Sequence, residues 1–491
     1  MSSTYSAFPT AQFGVIGLGV MGANLALNVA DHDFTVAVWN HTPARVQEFL
    51  AAHPSNRWLR GAETLDEFTR VLAPPRRILL MVKAGGPVDE MLERLAPHLA
   101  SGDIVIDGGN SFYRDSQRRE AALRPRAVTF IGMGVSGGEE GARYGPSLMP
   151  GGAADAYELL RPILEAIAAK TESGPCVTYV GPNGAGHYVK MVHNGIEYGI
   201  MQAIAEAYDL LRRGLALPAA EVAAIFAEWN RGPLESYLVD VAAQVLAVRD
   251  PATGNPLVEM ILDQAGQKGT GKWTVQSALD LAVPIPTIAA AIDARVLSSM
   301  QGERMSASNL LRSATAGHVS ESAREMIPAL HDALRATMVC AYAQGMRLLG
   351  AASDEYGWNV ELREIARIWK GGCIIRARLL DTLMRAFARA PDLPNLLLDA
   401  DVQRWLSEAE PGWRRTVVAA TAAGIPVPAT SASLAYFDSY RTARLPQNLT
   451  QAQRDYFGAH TYQRVDRAEA AFVHTDWQRL LGRERVPGGT R

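Results

Sequence analysis

The chain has 491 residues, a net charge of -3 at pH 7 and three cysteines, a length that exceeds one typical core and predicts two or three domains. The near balance of charge gives no reason to expect nucleic acid or an anionic membrane as partner. Cys176, Cys340 and Cys373 lack CxxC spacing, which argues against a disulfide framework or a zinc site and for buried thiols in a reducing compartment.

The first residues, MSSTYSAFPTAQ, show neither a basic segment nor an apolar leader core, and no run approaches the ~18 apolar residues of a membrane span. A cytoplasmic protein is expected. Phe13 to Ile16 predicts a strand that runs into Gly17-Leu18-Gly19-Val20-Met21-Gly22, followed by a helix over Asn24 to Ala30 and a second strand over Phe34 to Trp39. A lone GxGxxG is weak evidence, but between a strand and a helix its glycines have physical tasks. They make a tight turn, let the backbone approach a pyrophosphate, and pack helix on strand with the phosphates at a helix N-terminus. Where an NAD site carries Asp or Glu for the ribose, the sequence reads Asn40-His41-Thr42, with Arg45 one turn on. No carboxylate opposes a 2′-phosphate there, so NADP is favoured.

Three more strand-to-loop transitions follow. Arg77 to Val82 ends in Lys83-Ala84-Gly85-Gly86, Asp103 to Asp107 ends in Gly108-Gly109-Asn110-Ser111, and Val128 to Met133 leads to Gly134-Val135-Ser136-Gly137-Gly138. Such loops line the carboxyl edge of a parallel sheet, where ligands bind, and Asn110 and Ser136 are the polar groups expected to reach into the crevice.

From Gly184 to Gly199 the chain reads GAGHYVKMVHNGIEYG. As a helix this places Lys190, His193, Asn194, Glu197 and Tyr198 on one face and Met191, Val192 and Ile196 on the other. The simpler reading is an amphipathic helix with a solvated side. A base, an imidazole, an amide, an acid and a phenol within two turns point instead to a site. Ile200 to Leu215, Ala219 to Trp229, Ser236 to Val248 and Arg324 to Leu349 continue the helical periodicity, so a mostly helical second domain is expected, with the active site between it and the first. Gly266 to Trp273 fits GxxxxGK but places Trp273 where a P-loop needs Ser or Thr, and the preceding Leu257 to Ala265 reads as helix, not strand. Lys268 and Thr270 of that loop are candidates to cradle a substrate phosphate, although a plain exposed loop explains it as well.

The strings GLGVMG, ILLMVKAGG, DGGNS, GVSGGEEGARYGPSLMPGG, GAGHYVKMVHNGIEYG, AGQKGTGKW, IWKGGCIIR and QAQRDYFGAHTY, in this order, resemble the 6-phosphogluconate dehydrogenase family nearly end to end. The resemblance implies an α/β Rossmann-type dinucleotide-binding domain over residues 1–184, a large all-α substrate and dimerisation domain over 185–442, and a C-terminal tail over 443–491 that reaches a partner subunit. It implies oxidative decarboxylation of 6-phosphogluconate to ribulose 5-phosphate and CO₂, with reduction of NADP, as in the oxidative pentose phosphate pathway. Lys190 then matches the base that takes the C3 hydroxyl proton, and Glu197 the acid that protonates the enediol. Those roles need a lowered lysine pKa and a raised glutamate pKa. His193 and Asn194 match residues that hold the substrate's carboxylate and hydroxyls, with Asn110, Ser136, Gly137 and Gly138 across the cleft. Tyr198, Lys268, Thr270 and Arg295 match the phosphate set, completed by the tail's Arg454 and His460 acting in the partner's site of a homodimer. Gly17, Leu18, Gly19, Val20, Met21, Gly22, Asn40, His41, Thr42, Val82, Lys83, Ala84 and Asn110 make up the implied cofactor set.

The chain departs from the family at His41, where NADP-specific members carry arginine. An imidazole has no bidentate fork, so an NADP affinity that is weaker, pH-dependent or shared with NAD is expected. Gly19 stands where many members have alanine, which eases pyrophosphate approach. No metal is expected, since no carboxylate cluster occurs among the matched residues. Two rivals stay open: a related β-hydroxyacid dehydrogenase, against which the phosphate set and the long tail argue, and a catalytically silent nucleotide-binding protein, against which Lys190, Asn194 and Glu197 argue.

Overall fold

Short apolar runs that are buried on both faces assemble into one sheet. Its strands are β1 (Phe13–Ile16), β2 (Val36–Trp39), β3 (Leu59–Gly61), β4 (Arg77–Leu80), β5 (Ile104–Asp107), β6 (Thr129–Ser136) and β7 (Ser147–Gly152), in the order β3-β2-β1-β4-β5-β6-β7. This computed structural model describes residues 10–311, 317–467 and 471–482. Most of the amino-terminal stretch read above for a leader (1–9), and residues 468–470 and 483–491 of the expected tail, lie outside the described residues.

The first six strands pair in parallel and β7 closes the edge antiparallel to β6. Alternate residues serve two apolar layers, with Val15, Val38 and Ile106 in one and Ile16, Ala37 and Val105 in the other. That division explains why these strands read as continuous apolar runs: helices cover both faces. The helices are α1 (Val20–Asp31), α2 (Pro43–Ala52), α3 (Leu65–Arg70), α4 (Gly86–Leu95), α5 (Tyr113–Leu123), α6 (Gly138–Tyr144) and α7 (Ala154–Ile167). α1 begins four residues before the expected Asn24, because the fingerprint residues after Gly19 themselves form its first turn. β7 has no counterpart in the sequence reading. Its SLMPGG, with a proline and two glycines, carries turn chemistry, which an edge strand tolerates.

A long helix, α8 (Ala185–Asp209), opens the helical part and runs into a wider turn at Leu210–Gly214. It is followed by α9 (Ala219–Trp229), α10 (Tyr237–Ala247), α11 (Thr270–Asp280), α12 (Pro286–Ser299), α13 (Gln301–Leu310), α14 (Ala323–Tyr356), α15 (Leu362–Ile368), α16 (Leu379–Arg389), α17 (Ala400–Ala423) and α18 (Pro428–Arg441). α8 packs on β6, β7, α11, α12 and α14. From residue 185 to 200 only Glu197 is partly exposed, so this part of the helix is not amphipathic but buried nearly all round. Farther along α8, Glu206 accepts the Ala429 and Thr430 backbone N–H groups at 2.8 and 2.9 Å and so caps α18. The expected helix over Leu257 to Ala265 is one tight turn, Leu257–Met260, followed by irregular chain. Met260, Ile261 and Leu262 are exposed there, and a short helix without a packed face is not stable.

The chain divides into two compact units, Met1–Leu434 and Ala435–Arg491. In the second, α19 (Gln447–Gly458) ends at Ala459, and Tyr462 pairs with Val473. Buried Asp455 joins these pieces: it accepts from Thr461 N at 2.9 Å, Thr475 N at 3.0 Å, His474 Nδ1 at 3.0 Å and Trp477 Nε1 at 2.8 Å. Among the described residues no helix is long and apolar enough to cross a membrane.

Candidate active site and nucleotide site

The position of α8 is set by glycines. A Cβ at Gly134 of β6 would lie 2.4 Å from the Lys190 Cβ, and one at Gly151 of β7 would lie 2.3 Å from the Gly186 nitrogen. Bare backbone on the sheet therefore lets α8 lie against it and brings Lys190 and His193 to the carboxyl end of β6. There Gly137 turns the chain with φ +114°, and a Cβ on it would meet the Gly372 carbonyl at 2.6 Å.

A cleft of about 650 Å³ opens at this point, lined by Asn110, Ser136, Gly137, Gly138, Lys190, Asn194, Glu197, Tyr198, Lys268, Thr270 and Arg295. Met21 of the glycine fingerprint lines the same cleft, so the cofactor set and the substrate set adjoin. At one end Thr270 begins α11, whose N-terminus faces the loop carrying Lys268, and the Arg295 guanidinium lies 3.5 Å from the Tyr198 ring centroid. Two cations, a hydroxyl, a phenol and a helix N-terminus suit a phosphate. The would-be P-loop residue Trp273 packs instead against Phe112, with ring centroids 5.0 Å apart.

His193 does not line the cleft. It is fully buried, edge-on to Trp369, with Nδ1 3.5 Å from Lys190 Nζ, 3.7 Å from a Glu197 carboxylate oxygen and 3.1 Å from Asn194 Oδ1. Its Nε2 lies 3.2 Å from Ser136 Oγ. A neutral ring that donates from Nδ1 to Asn194 accepts from the Ser136 hydroxyl at Nε2. Burial drives the His193 pKa well below the ordinary imidazole range, and the neighbouring Lys190 pushes it further down. Burial also lowers the Lys190 pKa, against the pull of the Glu197 carboxylate and the Cys373 sulfur. Glu197 moves the other way: burial raises its carboxyl pKa, opposed by Lys190 and Arg295. A lysine biased toward the free amine and a glutamate biased toward the acid thus flank one neutral imidazole.

At the nucleotide end Gly17 turns with φ +100°, its would-be Cβ 2.5 Å from the Met81 carbonyl, which fits the loop tightly over β4. A Cβ at Gly19, Gly85 or Gly86 would meet nothing within 4 Å, and the α1 N-terminus has no side-chain cap. Open backbone beside uncapped N–H groups fits a dinucleotide pyrophosphate. Asn40 Oδ1 accepts from the Leu18 N–H at 3.0 Å, tying the end of β2 to the fingerprint. His41 and Thr42 are exposed beside it, and Val82, Lys83 and Ala84 form the loop after β4.

Arg454 and His460 lie in the second compact unit, both exposed. Arg454 donates to Gln451 Oε1 at 3.0 Å, and His460 sits between Ala459 (φ 50°) and Thr461 (φ 55°). Among the described residues no group of three or more His, Cys, Asp or Glu side chains is arranged to hold a metal ion.

Three kinds of residue in this arrangement carry no signal in the sequence. Met201, Gln267 and Ile374 line the cleft but carry no chemical signature. Arg119, in a helix that reads as charged surface, is fully buried and joins Asp107 at 3.2 Å to the Gly85 carbonyl at 3.0 Å, so it locks together the loops bearing Lys83 and Asn110. Arg94 reaches His41 from another helix. None of these could be found without knowing which distant segments meet.

Comparison with known proteins agrees with this arrangement. Residues 12–181 match the family model described as the NAD binding domain of 6-phosphogluconate dehydrogenase, and residues 186–477 match that for its C-terminal domain. The chain is 54% identical to the decarboxylating 6-phosphogluconate dehydrogenase of Synechocystis sp., over 95% of this chain and 97% of that protein. It is 52% identical to the NADP(+)-dependent, decarboxylating enzyme of Bacillus subtilis, over 95% and 99%. A solved structure of Plasmodium falciparum 6-phosphogluconate dehydrogenase, studied with NADP+ and with 6-phosphogluconate, superposes with a TM-score of 0.91 at 43% identity, covering 95% of this chain and all of that one. On the fold, the cleft and these matches together, the chain belongs to the 6-phosphogluconate dehydrogenase family.

Proposed function

We propose that the protein catalyses oxidative decarboxylation of 6-phosphogluconate to ribulose 5-phosphate and CO₂ with reduction of NADP. The observation that carries this reading is the trio at the cleft: buried Lys190 and partly exposed Glu197, with oppositely shifted pKa values, on either side of buried, neutral His193. NADP, when bound, supplies the hydride acceptor. Lys190 Nζ, as the free amine, takes the C3 hydroxyl proton as the C3 hydride leaves, and the resulting ammonium faces the new carbonyl oxygen. Loss of CO₂ then breaks the C1–C2 bond of the original acid while the Lys190 ammonium returns its proton to the carbonyl oxygen, which leaves an enediol. Glu197 gives its proton to the terminal carbon as Lys190 takes back the proton of that enol hydroxyl, and the ketone forms. His193, buried and uncharged, keeps Lys190 and Asn194 in place and passes no charge of its own to the lysine. Asn110, Ser136 and the Gly137 and Gly138 backbone orient the sugar acid, while Tyr198, Lys268, Thr270 and Arg295 take its phosphate.

A homodimer belongs to this reading, with Arg454 and His460 completing the partner's phosphate site. The exposed Ile261, Leu262, Leu297, Met305, Leu310 and Leu311 are apolar side chains of the kind that a partner subunit covers. A cytoplasmic location and the division at residues 184 and 442 go with the same proposal. The test is the initial rate with 6-phosphogluconate, titrating NADP and NAD separately while CO₂ is followed. Equal yields of CO₂ and NADPH are expected; turnover chiefly with NAD would overturn the cofactor, and none with either would overturn the activity.

A further inference from the structure

An NADP site needs a permanent cation near the end of the second strand, and His41 offers an imidazole with neither a permanent charge nor a fork. Arg94, in the last turn of α4, lays its guanidinium 5.2 Å from the Trp39 ring centroid and sets Nη1 3.0 Å from His41 Nδ1. A cation in the last turn of a helix needs no role beyond complementing the helix dipole. This one, however, leaves α4 for the end of β2, and no carboxylate pairs with it among the described residues. We propose that Arg94 is the cation that binds the adenosine 2′-phosphate, with Trp39 and His41 holding its guanidinium at the end of β2.

Each contact has a task in this arrangement. The indole face keeps the guanidinium plane in place. His41, accepting at Nδ1, keeps its proton on Nε2 and offers the phosphate a second donor. The Arg94 fork retains its other N–H groups for two phosphate oxygens. Arg45, exposed on α2, is the competing cation by sequence, yet no contact of its side chain at the end of β2 matches that of Arg94.

The inference rests on NADP as the cofactor, and one binding experiment separates the two. The full-length protein, Arg94→Gln and Arg45→Gln are titrated calorimetrically with 2′,5′-ADP and with 5′-ADP, and their melting curves are compared. The wild type is expected to bind 2′,5′-ADP more tightly. Arg94→Gln should lose about tenfold or more of that affinity while its affinity for 5′-ADP changes by less than about twofold. Arg45→Gln should change neither, and all three proteins should melt alike, because both arginines are exposed. If Arg94→Gln leaves 2′,5′-ADP affinity intact, weakens both ligands equally, or loses less than Arg45→Gln, the role of Arg94 is overturned and NADP stands. If the wild type binds the two ligands alike, NADP itself is overturned, and Arg94 with it.

Discussion

Lys190 is 6% exposed, His193 is fully buried and Glu197 is only partly exposed, so the chemistry of the site depends on what removal from water does to each group. Replacing it with alanine should lower kcat by at least about a thousandfold and leave the NADP dissociation constant nearly unchanged. A variant that keeps most of its kcat would take the base role away from Lys190. The two shifts also set the signs of a pH profile. Loss of the Lys190 proton should raise activity, at a pH below the usual lysine range, and loss of the Glu197 proton should lower it, at a pH above the usual carboxylate range. In Glu197→Gln the limb of the profile due to Glu197 should vanish together with most of kcat; an unchanged profile would assign that limb elsewhere. The positions of Lys190, Asn194, Glu197 and Tyr198 were legible in the sequence because one helix repeats them at its own period. The burial of His193 was not, since Trp369 and Ser136 come from far along the chain.

At the level of elements, α8 and the β6–β7 edge are defined by what is missing from the glycines between them. Gly134→Ala puts a methyl 2.4 Å from the Lys190 Cβ, and neither atom is the free end of a flexible chain. Denaturation should show a loss of about 1–3 kcal/mol, with a fall in kcat as α8 shifts. Gly19→Ala is the control: φ at Gly19 is -72° and a Cβ meets nothing within 4 Å, so stability should stay within about 0.5 kcal/mol. Equal losses in the two variants would mean that close packing does not set the position of α8. The parallel strands were legible because apolar runs closed by glycine-rich loops recur in a fixed order. β7 was hidden by its proline and glycines; the polar stripe of α8 read as a site, but the burial of its other faces had no signal because the helices that cover it lie far along the chain.

On the scale of the whole molecule, the second compact unit hangs on Asp455. Burial would raise the pKa of its carboxyl, but donors from Thr475, His474, Trp477 and Thr461 outweigh that and hold it at about 2. Such a group stabilises the fold above the ordinary aspartate range, and its contribution is lost as pH falls from about 4 through about 2. Hydrogen exchange in residues 459–467 and 471–475 should therefore quicken over that window, and Asp455→Asn should show the faster exchange already at neutral pH. Unchanged exchange would remove Asp455 from that role. For the proposed homodimer, Lys190→Ala and Arg454→Ala proteins should each be impaired alone but regain turnover when dissociated and re-associated together, because a mixed dimer has one site with both native residues. No recovery would confine Arg454 to its own chain. The buried helix has a last consequence, which concerns inheritance. Because residues 185–200 serve as both core and reaction centre, an exchange there is judged for folding and for chemistry at once, and few alternatives survive both. The exposed Gly266 and Gln267 line the same cleft without that double duty, so an exchange at either is judged for its effect on the substrate alone.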